Sequence, residues 1–182
     1  MTSSRDRILD AYADLLITEG ERHATLEAVA ARAQVSKGGL LYHFPSKDQL
    51  AVGLCDRLAA LAAEDAEAMR TADEGPARYY VRSSHYADTP LDRALVAVSR
   101  LRQSGDGRAG AVIEAASEAW LELLHHALGD LDVARAVKLI GDGLYYNALN
   151  RALGGRPTPL EADEGLLEVV DRITNVDNES RR

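Results

Sequence analysis

Apolar residues recur every three or four positions along most of this sequence, and this helical periodicity constrains the fold more than any other feature. The first stripe comprises Ile8, Leu9, Tyr12, Leu15 and Leu16. Side chains with this spacing lie on one face of an α-helix. No segment alternates apolar and polar residues between hairpin signals, as strands do. The sequence therefore predicts an all-α fold.

Capping residues and turn signals divide the pattern into nine predicted helices. Thr25, Ser36 and Ser46 are expected N-caps, and Pro45 breaks the chain between two helices. Thr89-Pro90 and Thr158-Pro159 place proline at the first helical position behind a threonine cap. The polar tail from Asn175 is expected to fray. The predicted helices cover residues 4–18, 26–33, 37–43, 47–70, 77–87, 90–103, 108–128, 133–153 and 159–174.

Composition restricts where the chain acts. No apolar run approaches the roughly 18 residues that a membrane span needs. The first residues lead into a charged helical pattern without the apolar segment of a secretory signal. We therefore expect a soluble cytoplasmic protein with no membrane partner. Cys55 is the single cysteine and is expected to be a small buried hydrophobic residue.

The charge is divided unevenly along the chain. The net charge is −8, but residues 1–47 contain six basic and six acidic residues and are neutral. The remainder therefore carries the whole negative charge. A broad positive field for nucleic acid is absent from this sequence, so DNA binding must depend on a local cluster of donors.

The segment from Ser36 to Lys47 carries the strongest functional signal. Two short predicted helices joined by a tight turn form a helix-turn-helix, which can place its second helix in the DNA major groove. Gly38 and Gly39 would each destabilise a helix by roughly 1 kcal/mol, so they indicate close approach of the backbone to another surface. Leu40 and Phe44, four residues apart, are expected to anchor this helix to the core.

The run from Ile8 to Leu50 resembles the DNA-binding domain of the TetR family. The Ser-Lys-Gly-x-Leu-x-x-His-Phe-x-x-Lys-x-x-Leu spacing that begins at Ser36 is specific to that family. Beyond it, the similarity is confined to helix number and to Gly141-Asp-Gly-Leu144. The resemblance implies a helix-turn-helix domain over residues 1–47 and a ligand-binding and dimerisation domain over residues 48–182. It also implies a homodimeric repressor that a small molecule releases from a palindromic operator.

The resemblance assigns roles to individual residues. Lys37, Tyr42, His43 and Lys47 match positions that contact the DNA backbone, and Thr25 matches a cap that also touches phosphate. Gly38 and Gly39 match the face of the recognition helix that meets the bases. The predicted DNA-binding set is Thr25, Ser36, Lys37, Gly38, Gly39, Leu41, Tyr42, His43 and Lys47.

Two residues depart from the family pattern. Leu41 stands where an aromatic phosphate contact is frequent, so one backbone contact is expected to be missing. Gln34 occupies a turn position that usually holds glycine. A left-handed backbone there would cost a residue with a Cβ roughly 1 kcal/mol or more.

Aromatic residues in the second half allow two interpretations. They are core or interface residues, or they line a pocket for a small-molecule effector, since such sites favour aromatic rings with polar tips. The predicted effector-binding set is Tyr79, Tyr86, Trp120, Leu123, Tyr145 and Tyr146, with Tyr80 as a further aromatic candidate.

The last two predicted helices each carry an apolar stripe that a two-fold axis could cover by forming a four-helix bundle. The predicted dimer interface comprises Val137, Ile140, Leu144, Ala148, Leu166 and Val170. Such a dimer would read a near-palindromic operator on successive faces of the major groove.

Two other functions compete with a regulator. A helical metalloprotein could use Glu122 and His125, which share a helix face, but a di-iron site needs a second Glu-x-x-His motif and further glutamates. His126 points about 100° away from His125. No metal, cofactor or catalytic residue is therefore predicted. The other alternative is a helical interaction module without DNA binding, which the acidic balance, Leu41 and Gln34 would favour.

Overall fold

The computed structural model describes residues 3–153 and 162–180, and these residues form nine helices and no strand. The all-α prediction is therefore confirmed. The helices are α1 (Ser4–Thr18), α2 (Leu26–Arg32), α3 (Lys37–His43), α4 (Lys47–Arg70), α5 (Pro76–Ser83), α6 (Pro90–Gln103), α7 (Gly107–Leu128), α8 (Leu131–Leu153) and α9 (Glu164–Ser180).

Most predicted N-caps form the expected hydrogen bonds. The Thr25 hydroxyl accepts from the backbone N–H of Ala28 at 3.2 Å. The Ser46 hydroxyl accepts from that of Gln49 at the same distance. At α6, the Asp92 carboxylate also accepts from the Thr89 backbone N–H at 2.9 Å, which completes a reciprocal capping box. These caps fix where the helices begin.

Helix α5 ends at Ser83, whereas the sequence predicts a helix to residue 87. The Ser84 hydroxyl donates to the Tyr80 carbonyl at 2.6 Å and so takes an acceptor from the last turn. The Ser84 backbone N–H bonds instead to Val81, three residues back. Local hydrogen bonds of this kind compete with helix continuation. Tyr86 therefore lies in the loop after α5.

Helix α9 continues to Ser180, so the predicted helix end at Thr174 is wrong. Residues 175–180 contain neither glycine nor proline, so no residue type in this segment requires the helix to end. The predicted helix start at Thr158 lies outside the described residues. At the first described turn, the Leu166 N–H donates to the Asp163 carboxylate at 2.9 Å.

The chain divides into two compact units. Unit 1 comprises Met1–Ala62 and Asp88–Ala116, and unit 2 comprises Ala63–Ala87 and Ser117–Arg182. The boundaries fall inside α4 and α7, so each of these helices contributes residues to both units. The predicted domain boundary at residue 47 separates functions rather than compact units, and it stays a prediction.

The core of unit 1 is built around α1. Ile8, Leu9, Tyr12 and Leu16 have no exposed surface, which confirms the predicted stripe. They form one apolar cluster with α2, α3, α4 and α6. Cys55 is buried in the same cluster, as predicted, and burial raises the pKa of its thiol.

Unit 2 has its own core, in which α8 packs against α5. Four residues of the predicted dimer interface lie in interior positions of the single chain, namely Val137, Leu144, Ala148 and Val170. Ile140 and Leu166 are half-buried against this core. The stripe on α8 is thus largely covered by α5, an element to which the sequence assigned no such role. A second chain is not needed to bury it.

The buried face of α7 also differs from the prediction. The spacing of the apolar residues predicts that the inward face comprises Val112, Ala116, Ala119, Trp120, Leu123 and Ala127. Ala119 and Ala127 are exposed instead, whereas Leu124 is fully buried. The helix is apolar on most sides, so its periodicity does not select one face.

In the part of the chain that the structure describes, no helix has the length and apolarity needed to cross a membrane.

The turn between α2 and α3 has a left-handed residue. Gln34 has φ = 54°, which is a left-handed backbone conformation. This agrees with the sequence analysis, in which Gln34 occupies a turn position that usually holds glycine. Its side chain is exposed, so no packing compensates for the strained backbone. Glycine adopts this conformation without the steric cost that a Cβ imposes.

We expect Gln34→Gly to raise the free energy of unfolding by up to about 1 kcal/mol, because it relieves the left-handed backbone. Urea denaturation followed by circular dichroism measures the change. Gln34→Ala is the matched control, since it removes the side chain but keeps the Cβ and should give no such gain. A Gln34→Gly variant no more stable than Gln34→Ala would contradict this account.

Candidate nucleic-acid interface

Helices α2 and α3 form a helix-turn-helix inside unit 1. The residues between them make a tight turn, in which the Val35 N–H donates to the Ala30 carbonyl at 3.0 Å. Val29 of α2 and Leu40 of α3 have no exposed surface and hold the pair against α1. Phe44, directly after α3, is also buried, so both predicted anchors are in place.

The opposite side of α3 faces outward. Tyr42 is 84% exposed, Gly38 is exposed and Gly39 is half-buried. His43 is half-buried and its ring stacks edge-on against Tyr42, with centroids 5.1 Å apart. The helix thus presents a bare backbone patch beside an aromatic ring with a hydroxyl donor.

The glycines of α3 differ from those that internal packing requires. A Cβ at Gly53 would lie 2.7 Å from the Phe44 ring, and one at Gly141 would lie 2.6 Å from the Tyr80 ring. At Gly38, the only neighbour that the described residues offer is the Ser36 hydroxyl at 4.0 Å. Packing within the chain therefore explains Gly53 and Gly141 but leaves Gly38 unexplained.

The two predicted capping residues hold the N-terminal ends of the motif. The Ser36 hydroxyl accepts from the Gly39 N–H at 3.0 Å, and Thr25 performs the same role for α2. Both side chains are exposed. Helix N-termini with exposed hydroxyls suit phosphate oxygens, because the helix dipole and free N–H groups favour an anion.

Both lysines of the predicted set form ion pairs inside unit 1. Lys37 Nζ lies 2.6 Å from Glu27 Oε1, and Lys47 Nζ lies 2.7 Å from both the backbone oxygen and a carboxylate oxygen of Glu21. The hydrogen bond from Lys37 lowers the pKa of Glu27, so this carboxylate is ionised at neutral pH. A DNA phosphate would have to displace these glutamates.

Leu41 is half-buried and packs against the core of unit 1. It therefore contributes an apolar contact within the chain in place of an aromatic side chain directed at phosphate.

The structure adds Arg5 to this region. Its guanidinium carbon lies 5.2 Å from the centroid of the Phe44 ring, which places a cation beside the end of α3. None of the described carboxylates forms an ion pair with Arg5. The family-like spacing begins only at Ile8, and 38 residues separate Arg5 from Phe44, so no local pattern could have identified this pairing.

The predicted effector-binding residues all belong to unit 2 but do not share one environment. Tyr79, Tyr86, Trp120, Leu123 and Tyr145 are half-buried. Tyr146 is 65% exposed, because it lies on the outer face of α8, so it does not line the interior of this chain.

The proposed alternative site at Glu122 and His125 is exposed, as is His126. Among the described residues, no three histidine, cysteine or acidic side chains are grouped closely enough to hold a metal ion.

Residues 8–54 match the family model for bacterial regulatory proteins of the tetR family. A segment of 52 residues is 44% identical to an uncharacterized HTH-type transcriptional regulator from the dhlA 5′ region of Xanthobacter autotrophicus. Residues 8–54 are therefore a segment of the tetR-family type. The matched segment covers 29% of this chain and 26% of that relative, so the chain matches about a quarter of the relative's length.

Several solved structures resemble this chain over nearly its whole length. The multidrug binding protein EbrR complexed with malachite green is 23% identical and gives a TM-score of 0.67, over 94% of this chain and 98% of that one. A putative TetR-family regulator from Rhodococcus sp. is 21% identical, with a TM-score of 0.66 over 95% and 100% of the two chains. A putative regulator from Streptomyces coelicolor A3(2) is 25% identical, with a TM-score of 0.60 over 96% and 100%.

We expect Gly38→Ala to change stability and DNA affinity in opposite directions. Helix propensity should raise the free energy of unfolding by roughly 1 kcal/mol, since a Cβ meets open space within the chain. The same Cβ would crowd the bases, and overpacking of about 1 to 3 kcal/mol corresponds to a loss of roughly fivefold to 150-fold in affinity. Denaturation and fluorescence anisotropy on an operator duplex measure the two effects.

Gly110→Ala is the matched control. Gly110 is helical, belongs to unit 1, and likewise has open space where a Cβ would stand. It should gain stability without losing affinity. Full DNA affinity in Gly38→Ala would show that α3 does not face the bases.

Glu27→Gln should tighten binding to all DNA sequences several-fold, because it frees Lys37 for phosphate. Glu114→Gln on α7 changes the net charge equally at an exposed position and should have a much smaller effect.

Lys47→Ala should reduce the slope of log affinity against log salt by about one unit. An unchanged slope would exclude Lys47 as a phosphate contact. Equal effects of the two glutamate variants would exclude Lys37.

Proposed function

We propose that this protein is a ligand-responsive transcriptional regulator, acting as a homodimeric repressor that a small molecule releases from a palindromic operator. The observation that carries the proposal is the exposed Gly38 of α3, which no packing among the described residues explains. Its polar surroundings supply Tyr42, His43 and two lysines for the sugar-phosphate backbone. Phosphate contacts of this kind set the register, and the bare face approaches base edges.

The second unit is the proposed effector-binding region. It combines half-buried aromatic side chains with buried polar atoms, as small-molecule sites do. The similar fold of EbrR, a multidrug binding protein complexed with malachite green, supports a ligand-binding role for this part of the chain.

The dimer surface that we propose differs from the predicted one, because four of the six predicted residues are buried within the single chain. Leu139 and Tyr146 are 72% and 65% exposed, and each follows a buried residue of α8 by two positions. Two positions correspond to about 200° around a helix, so these side chains lie opposite the buried stripe. Gly143 lies between them, where a Cβ would meet open space, and so permits close approach of another helix. We propose that this outer face of α8 forms the dimer contact.

Effector binding would act through α4. This helix begins at the helix-turn-helix and ends at Arg70 in unit 2, so a tilt of α4 changes the separation of two recognition helices in a dimer. The effector must bind the non-binding conformation more tightly, because equal affinity for both conformations shifts nothing.

Selection of bound duplexes from random DNA tests the function. We expect a near-palindrome whose half-sites are about one helical turn apart. Leu139→Glu should convert the dimer to a monomer in sedimentation velocity and abolish selection of paired half-sites. Ala68→Glu, at an exposed position of α4, is the control and should leave both unchanged.

Failure to enrich any sequence would reject the DNA-binding function. Enrichment of unpaired sites by a wild-type monomer would reject the dimer alone.

A further inference from the structure

The indole Nε1 of Trp120, on α7 in unit 2, is a buried donor without a hydrogen-bond partner among the described residues. Buried donors in folded proteins are nearly always paired, so each exception requires an explanation. An indole N–H can only donate, so its missing partner must be an acceptor.

The hydroxyls of two nearby tyrosines in α5 are already paired. Tyr79 donates to an Asp65 oxygen at 3.0 Å, and Tyr80 donates to an Asp142 oxygen at 2.6 Å. Burial and the adjacent Asp65 carboxylate raise the pKa of Tyr79 to about 12. Burial and Asp142 raise the pKa of Tyr80 as well. Both hydroxyls therefore remain protonated donors, and their donor capacity is used within the chain.

The indole ring of Trp120 packs near the ring of Tyr80. The centroid of its indole ring is 6.4 Å from that of Tyr80, with an interplanar angle of 55°. The Tyr80 ring also fits closely over Gly141, where any Cβ would clash with it at 2.6 Å. The position of Tyr80 is thus fixed by α8 as well as by its hydrogen bond. A planar ring beside Trp120 would contact an ordered aromatic surface.

A lysine occupies the place that a ligand cation would need. Lys138 Nζ lies 5.9 Å from the centroid of the Tyr80 ring and 2.6 Å from Asp142. Only 12% of its side chain is exposed. The ammonium group already uses the cation–π surface of Tyr80 and pairs with Asp142. A second cation here would meet like-charge repulsion in a poorly solvated setting.

We propose that Trp120 is the polar anchor of the effector site, and that its indole N–H binds an oxygen acceptor on an aromatic effector that carries no positive charge. The effector class is an aromatic ketone, quinone, ester or carboxylate. This inference rests on the proposed effector role of unit 2, and it goes further by assigning the chemistry of the ligand. The proposed effector also differs in charge from malachite green, the cationic dye in the EbrR complex.

A pair of probes with the same shape tests the anchor. Naphthyl methyl ketone carries a carbonyl acceptor, whereas isopropylnaphthalene has nearly the same shape without one. Trp120 is the single tryptophan of the chain, so its fluorescence reports binding to the wild-type protein directly. We expect the ketone to bind about tenfold more tightly than the hydrocarbon, because it satisfies a buried donor.

Variants identify the atom responsible. Trp120→Phe keeps an aromatic ring but removes the N–H, so calorimetry should find the two probes binding equally. Tyr12→Phe is the matched control, since it removes a buried hydroxyl that has no partner among the described residues but belongs to unit 1, and it should keep the preference for the ketone. Malachite green should bind the wild-type protein more weakly than the ketone, and Lys138→Met should improve its binding relative to the ketone.

Three results would overturn the proposal. These are equal binding of ketone and hydrocarbon to the wild-type protein, a preference for the ketone that survives in Trp120→Phe, and tighter binding of malachite green. Absence of binding by both neutral probes would reject an aromatic site in the same way. If Trp120→Phe does not fold by circular dichroism, the wild-type comparison alone decides.

Operator binding is measured separately with and without the ketone. A ketone that binds through Trp120 but leaves the DNA complex intact would contradict the effector role in the proposed function while leaving the anchor in place.

Discussion

The buried face of α1 is the interaction on which the candidate DNA-binding surface depends. Ile8, Leu9, Tyr12 and Leu16 are wholly enclosed, and the inner side chains of α2 and α3 pack into the same cluster. Burial of an aliphatic or aromatic side chain contributes about 1.5 to 3 kcal/mol, which exceeds the roughly 1 kcal/mol that each helical glycine costs. Because Leu40 and Phe44 are held inward, the glycine side of α3 is held outward.

The sequence predicts those parts of the fold in which local chemistry decides the outcome. Thr25, Ser36 and Thr89 cap helices because a hydroxyl two or three residues before an N–H satisfies it in any context. The face of α7 could not be predicted, because alanines and leucines surround that helix and only its neighbours select Leu124 over Ala127. Likewise, α5 covers the stripe containing Val137 and Leu144, a long-range contact with no local signal.

The candidate DNA-contact positions were accessible from the sequence because the motif is continuous from Ser36 to Lys47. Their electrostatic state was not. Lys37 and Lys47 are ordinary cations in the sequence, whereas in the fold each faces a glutamate that is ten or more residues away along the chain. Arg5 is the reverse case, because the sequence motif does not include it and only the fold places its guanidinium beside Phe44. Spacing within a helix identifies residue types, and tertiary structure determines which charges remain available.

Charge pairing has a consequence for selectivity. Non-specific binding derives almost entirely from cations that replace counterions along the phosphates. In the proposed complex with DNA, Lys37 and Lys47 are two of those cations, and in the free protein Glu27 and Glu21 neutralise them, while the remainder of the chain is acidic. A random duplex must therefore displace both glutamates and gains only phosphate contacts in return. An operator offers complementary base edges to the glycine face as well, so the same displacement is offset there. Under the proposed function, the internal ion pairs weaken binding to every duplex, but they leave a larger fraction of the affinity dependent on sequence.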